Sequence, residues 1–152
     1  MSALLGLYRG ATVLAAPLIA HHMNRRLARG KEDPARFPER MGTAGIARPD
    51  GPLVWMHAAS VGESLTMLPL VNALLERHPR LRVLATSGTV TSAGLLAERL
   101  PEGAFHQYVP VDRAHYVERF LDHWRPDLVL WAESEFWPNL TTLAAGRGIP
   151  MV

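Results

Sequence analysis

The sequence contains no cysteine, which excludes a disulfide scaffold, a thiolate zinc site, an iron–sulfur cluster and a cysteine nucleophile. It has neither a G-x-G-x-x-G fingerprint nor a P-loop lysine motif, so dinucleotide redox chemistry and nucleotide hydrolysis are not indicated. Its seven histidines include no H-x-x-x-H pair, and the adjacent His21 and His22 would point in different directions on a helix. No metal site is expected. Also lacking is an uninterrupted apolar run of the roughly 20 residues that a membrane span needs. The stretch from Ala3 to Ala20 is broken by Tyr8, Arg9, Gly10 and Thr12. What is present, 48% hydrophobic and 20% charged residues over 152 positions, is the composition of one globular domain and not of a disordered chain.

The net charge of +2 hides an uneven distribution. Residues 1–48 hold eight Lys/Arg against three Asp/Glu, whereas residues 49–152 hold eight against eleven. The excess is carried by Arg25, Arg26, Arg29, Lys31, Arg36, Arg40 and Arg48. An apolar stretch followed by such a flank fits a signal peptide, a membrane anchor or interfacial helix, or an ordinary docking helix. The signal peptide fits poorly, because the charges follow the apolar run and no small-x-small cleavage site precedes the fold. Arg9 would cost about 2.5–3.5 kcal/mol at a bilayer centre, yet it lies a third of the way in, from where it can snorkel to a headgroup region. A membrane-associated helix over 1–22 is therefore expected, with a soluble docking helix as the alternative. If the segment inserts, the cluster from Arg25 to Lys31 places everything downstream on the cytoplasmic side and attracts anionic headgroups.

After Gly51 short apolar runs recur at Leu53–His57, Leu81–Thr86, Ala104–Val109 and Leu128–Trp131, with starts 28, 23 and 24 residues apart. Runs apolar throughout, not alternating, suit parallel strands buried on both faces. Helical spacing fills the gaps: Leu65, Leu68, Val71, Leu74 and Leu75 up to His78-Pro79; Leu95, Leu96 and Leu100 before Pro101; Val117, Phe120, Leu121 and Trp124 before Pro126. Pro138 suits the first turn of a fourth helix. Alternation at this period predicts βαβ units with right-handed crossovers, hence an α/β, Rossmann-like, doubly wound parallel sheet. Residues 149–152 read as the start of another strand, so the chain is expected to be part of a larger domain.

Ligands of such sheets bind at the carboxyl ends of the strands. The first loop there, His57 to Glu63, is rich in small residues and opens a helix whose free N–H groups favour an anion. Ser60 and Glu63 also fit an S-x-x-E capping box that needs no ligand, and the two roles are compatible. The second loop, Thr86 to Ser92, has five hydroxyls in seven residues, suited to a phosphate or sugar, or simply to helix capping. In the third, Asp112 is expected to cap the next helix. The fourth, Trp131 to Asn139, sets Glu133, Glu135 and Asn139 beside two tryptophans, which fits either recognition of a polyol or carboxylates near a helix terminus. Upstream, Glu39 lies among arginines in Arg36-Phe37-Pro38-Glu39-Arg40-Met41-Gly42, where the ordinary expectation is a surface ion pair worth less than about 1 kcal/mol.

Taken in order, the apolar helix with its basic flank, "PERMG", "HAASVGE", "TSGTVTSAG", "YVPVD" and "ESEFWPN" resemble the bacterial 3-deoxy-D-manno-octulosonic acid (Kdo) transferases of lipopolysaccharide synthesis. The resemblance spans essentially the whole chain; the hydroxyl-rich loop departs from the Thr-Pro-Thr-Gly form common in that family. It implies a GT-B glycosyltransferase that moves Kdo from CMP-Kdo to a lipid A precursor at the cytoplasmic face of the inner membrane, without a cofactor and without nucleic acid as a partner. The implied organisation is a membrane helix over 1–22, a basic segment over 23–50, and an acceptor-binding Rossmann-like domain over 51–152, with the donor domain elsewhere. Glu39 falls on the Glu-Arg-x-Gly motif whose glutamate is the proposed general base. Ser60, Gly62 and Glu63 would line the cleft, and Glu133, Glu135 and Asn139 match the acidic-aromatic loop.

Two other classes stay open. One is a GT-B transferase with a different nucleotide sugar or acceptor; the other is a nonenzymatic peripheral membrane protein with a headgroup pocket. A soluble dinucleotide oxidoreductase is disfavoured by the missing glycine fingerprint.

Overall fold

The computed structural model describes residues 3–132 and 136–152. Helices α1 (Ala3–Leu14) and α2 (Ala16–Ala28) are followed by a 3-10 turn, Phe37–Met41. An alternating series follows: β1 (Leu53–His57), α3 (Val61–Arg77), β2 (Arg82–Ser87), α4 (Val90–Arg99), β3 (Ala104–Tyr108), α5 (Ala114–Trp124), β4 (Leu128–Trp131) and α6 (Pro138–Gly146). All pairings are parallel, in the order β3-β2-β1-β4. This is the order of the first four strands of a doubly wound sheet, with the direction of winding reversing between β1 and β4. Met151 pairs in parallel with Val129, so the residues after α6 run alongside β4 as expected.

The two faces of the sheet bury separate clusters. Val54, Met56, Val83 and Ala85 pack against Met67 and Val71 of α3 and Leu96 of α4. Leu53, Trp55, Leu84 and Val129 pack against Val117, Phe120, Leu121 and Trp124 of α5 and Leu140 and Ala144 of α6. Every residue of β1 is buried, which explains why its sequence shows no alternation. The buried side of α3 is carried by Ser64, Met67 and Val71, while Leu65, expected on the inner stripe, is 39% exposed.

Gly42 ends the 3-10 turn at φ +80°, and a Cβ there would lie 2.0 Å from the backbone oxygen of Tyr116 in α5. Glycine at this position is what lets the turn press against α5 at the open edge of β3.

Helix α1 buries none of its residues. Its polar side faces the body: the Tyr8 hydroxyl donates to Asp112 Oδ2 at 2.8 Å, and the Arg9 guanidinium donates to Asn139 Oδ1 at 3.1 Å and Thr142 Oγ1 at 3.3 Å. Leu4, Leu7, Val13, Leu14 and, in α2, Leu18 are 64–83% exposed. Among the described residues no single helix is long and apolar enough to cross a membrane; α1 and α2 together reach that composition but are bent by 61° between them.

Candidate functional site

The carboxyl ends of the strands surround a cavity of about 330 Å³. His57 and Ala59 reach it from β1, Gly88 and Thr89 from β2, Val109 to Asp112 from β3, and Trp137 from the loop before α6. His22 and Arg26 of α2, with Arg40, close its other side. The Trp55 indole N–H donates to Thr86 Oγ1 at 2.8 Å, and that oxygen lies 2.9 Å from His57 Nδ1, which seats the imidazole at the strand end. Thr89 caps α4, its hydroxyl accepting the N–H of Ser92 at 3.1 Å.

Ser60 and Glu63 form the full capping box. Ser60 Oγ accepts the Glu63 N–H at 3.2 Å, and Glu63 Oε2 accepts the N–H groups of Ser60 at 2.9 Å and Ala59 at 3.0 Å. The hydrogen bond from the Ser60 backbone holds the Glu63 carboxyl below its ordinary value. Ser60 and Gly62 are exposed on this first turn, next to Ala59 of the cavity wall.

Glu39 lies elsewhere. Its carboxylate is buried, 6% exposed, so the expected surface ion pair is instead an internal one. Arg36 Nε donates to Oε1 and Nη2 to Oε2, both at 2.8 Å, and the backbone N–H of Tyr108, the last residue of β3, donates to Oε2 at 2.8 Å. The edge strand would otherwise leave that N–H unpaired. Three of about four acceptor positions on the carboxylate are thus occupied. Glu39 lines a second cavity, of about 630 Å³, together with Arg36, His106, Gln107 and Trp124. The Trp124 indole N–H donates to Gln107 Oε1 at 2.7 Å, and Gln107 Nε2 is buried without a partner among the described residues. Neighbouring residues of the motif therefore serve different cavities: Arg40 faces the first and Glu39 the second, while the Arg40 carbonyl accepts the Val111 N–H at 2.9 Å.

Asn139 is fully buried in the first turn of α6. Its amide donates to the Asp112 carbonyl at 2.8 Å, and its side-chain oxygen accepts from Arg9. Asp112 does not cap the next helix, as its sequence position suggests. Its carboxylate instead accepts the N–H groups of Asn139 at 3.0 Å and Leu140 at 2.8 Å, capping α6 across the sheet. Glu133 and Glu135 lie outside the described residues. Phe136 and Trp137, beside them in sequence, are 66% and 43% exposed.

The basic excess is partly internal. Arg26 and Arg40 both pair with the buried Glu32, at 2.6 and 3.3 Å, Arg36 pairs with Glu39, and Arg48 donates to the Trp124 carbonyl at 2.7 Å. Burial pulls the Arg40 guanidinium below its ordinary value. Arg25, Arg29 and Lys31 remain exposed. Among the described residues no group of three or more His, Asp or Glu side chains could hold a metal ion. His57, Thr89, Arg40 and His106 were not singled out from the sequence as site residues. A signal for the first two existed, since both stand at carboxyl strand ends.

The family model for 3-deoxy-D-manno-octulosonic-acid transferase (kdotransferase) matches residues 35–152. The chain is 39% identical over 145 residues to an Arabidopsis thaliana protein named "Probable 3-deoxy-D-manno-octulosonic acid transferase, mitochondrial", covering 95% of this chain and 32% of the relative. It is 40% identical over 139 residues to the 3-deoxy-D-manno-octulosonic acid transferase of Rickettsia bellii (91% and 33%) and 32% identical over 148 residues to that of Haemophilus influenzae (95% and 34%). The chain spans about a third of the length of these curated relatives. With its parallel sheet and the whole Glu-Arg-x-Gly segment inside the matched range, the chain belongs to the 3-deoxy-D-manno-octulosonic acid transferase family.

Proposed function

We propose that this chain is the acceptor-binding lobe of a GT-B glycosyltransferase that moves Kdo from CMP-Kdo to a lipid A precursor at the cytoplasmic face of the inner membrane. The observation that carries this is the family match over residues 35–152, which includes all four strands and Glu39. In the proposed reaction an acceptor hydroxyl oxygen bonds to the anomeric carbon of Kdo while the bond from that carbon to the phosphate oxygen of CMP breaks. CMP leaves with the bonding electrons, and Glu39 takes the hydroxyl proton. One acceptor position of its carboxylate is open and Glu39 lines the second cavity, so the reacting hydroxyl is proposed to reach it there, apart from the cavity beside Ser60 and Gly62; a positioned carboxylate contributes about 10²–10⁴-fold. Ser60, Gly62, Glu63 and Asn139 are proposed to shape or support the acceptor cleft, with Glu133 and Glu135 in the loop before α6.

The outward leucines of α1 and the exposed Arg25, Arg29 and Lys31 support a helix lying in the membrane interface, with Arg9 turned inward and held by α6. The test is a transfer assay of the full-length enzyme. Acceptor-dependent CMP release from CMP-Kdo, cut about 10²–10⁴-fold by Glu39→Gln, is expected. Turnover with another nucleotide sugar in place of CMP-Kdo overturns the donor assignment, and full turnover by Glu39→Gln with only weaker acceptor binding overturns the base.

A further inference from the structure

A line of four side chains runs from the end of β2 to Glu39. Ser87 Oγ lies 2.9 Å from His106 Nε2; His106 Nδ1 lies 3.0 Å from Arg36 Nη2; Arg36 reaches both oxygens of Glu39 at 2.8 Å. Its direction is fixed by chemistry. A guanidinium only donates, so His106 Nδ1 accepts, the ring is neutral, and its hydrogen sits on Nε2 and is given to Ser87. Burial, with the Arg36 charge adding to it, pushes His106 down to about 3, in keeping with a ring that stays neutral. Arg36 Nη2 divides its two hydrogens among His106 Nδ1, the His106 carbonyl at 2.8 Å and Glu39 Oε2. Its guanidinium also lies over the Tyr108 ring, 4.8 Å from the centroid. The plane of Arg36, and through it the aim of the Glu39 carboxylate, is thus set from β3 as well as from its own turn.

We propose that His106 is a positioning residue for Glu39, acting through Arg36, with Ser87 holding the tautomer that this requires. The proposal rests on Glu39 being the base. It identifies a residue that touches neither substrate nor the reacting atoms.

The test compares two amides in the full-length enzyme. In His106→Asn the side-chain oxygen falls near the Nδ1 position and still accepts from Arg36; in His106→Gln the amide reaches the Nε2 position and Ser87 instead. Because misaiming a reacting group costs up to about 100-fold, His106→Gln is expected to lower kcat about 10–100-fold with KM nearly unchanged, and His106→Asn to recover most of that loss. Adding His106→Gln to Glu39→Gln should lower kcat less than about twofold further, since residues acting as a unit are not additive. Equal activity of the Asn and Gln variants, a loss confined to KM, or full additivity overturns the proposal. Thermal melts of both single variants show whether each is folded. If His106→Gln does not fold, Arg36→Lys, which keeps the charge but loses the fork, must show the same kcat loss; unchanged kcat overturns the proposal. An inactive Glu39→Gln beside a fully active His106→Gln removes the relay alone, whereas an active Glu39→Gln removes the base and the relay with it.

Discussion

The carboxylate of Asp112, in the loop after β3, accepts the backbone N–H of Asn139, in the first turn of α6, at 3.0 Å. One acidic side chain thereby ties together the end of an edge strand, the helix after β4 and, through Tyr8, helix α1. Asp112→Ala strands two N–H groups of α6 and the Tyr8 hydroxyl. At about 1–3 kcal/mol for each unsatisfied buried group, partly relieved by water, a loss of about 2–4 kcal/mol is expected in chemical denaturation. Asp112→Asn keeps one acceptor oxygen but sets its NH2 against a backbone N–H of α6, so it should recover only part of that loss.

Gly42→Ala tests the close approach of the Glu-Arg-x-Gly turn to α5. The added methyl meets the Tyr116 carbonyl in a backbone conformation that alanine resists, so a loss of about 2–4 kcal/mol is expected from strain and overpacking combined. A melting temperature equal to that of the parent would show that the turn can move away freely.

His106 gives a pH signature. Its ordinary value of 6.5 is lowered to about 3 in the folded chain, so below 6.5 the unfolded state takes up a proton that the folded state refuses. Stability contributed through this group is therefore lost as pH falls from 6.5 toward 3. His106→Asn should flatten the slope of melting temperature against pH in that window and leave the slope unchanged above pH 7. Glu63 follows the carboxylate rule: with its folded value lowered, the capping box stabilises above the ordinary carboxyl range and fades as pH falls through the folded value. Ser60→Ala should cost about 1 kcal/mol at neutral pH, measured by denaturant titration.

The outward face of α1 predicts membrane binding. Leu7 and Leu14 are 70% and 83% exposed, so replacing either by Ser should leave the melting temperature unchanged. Because burying a leucine is worth about 1.5–3 kcal/mol, each replacement should weaken partitioning onto anionic vesicles about tenfold or more. High salt should release the chain through Arg25, Arg29 and Lys31. Equal partitioning of the variants, read by vesicle sedimentation, would place the contact elsewhere.

The strands were readable because burial on both faces removes alternation: Leu53 to His57 is apolar for the reason that it is central. The Ser60–Glu63 box was readable because its two partners are three residues apart. Most of the α3 stripe is legible: Val71 is buried and Leu68 and Leu75 pack against the same cluster, while Leu65 alone turns out to solvent and Met67 takes the inner place. Long-range partners left no local trace. Asp112 looks like a cap for α5, and only the folded sheet brings the start of α6 to it. Glu39 looks like a surface charge, and only the unpaired N–H at the end of β3, together with Arg36, explains its burial. The basic run reads as a single electrostatic rim, but the buried Glu32 draws two of its arginines, Arg26 and Arg40, into ion pairs.

The central place of β1 has a consequence for synthesis on the ribosome. This strand emerges first of the four, yet one of its edges waits for residues 128–131 to arrive. During that interval a five-residue strand, four of whose side chains are apolar, is open to pairing with other nascent chains. Early capture by a chaperone would shelter it until the sheet closes.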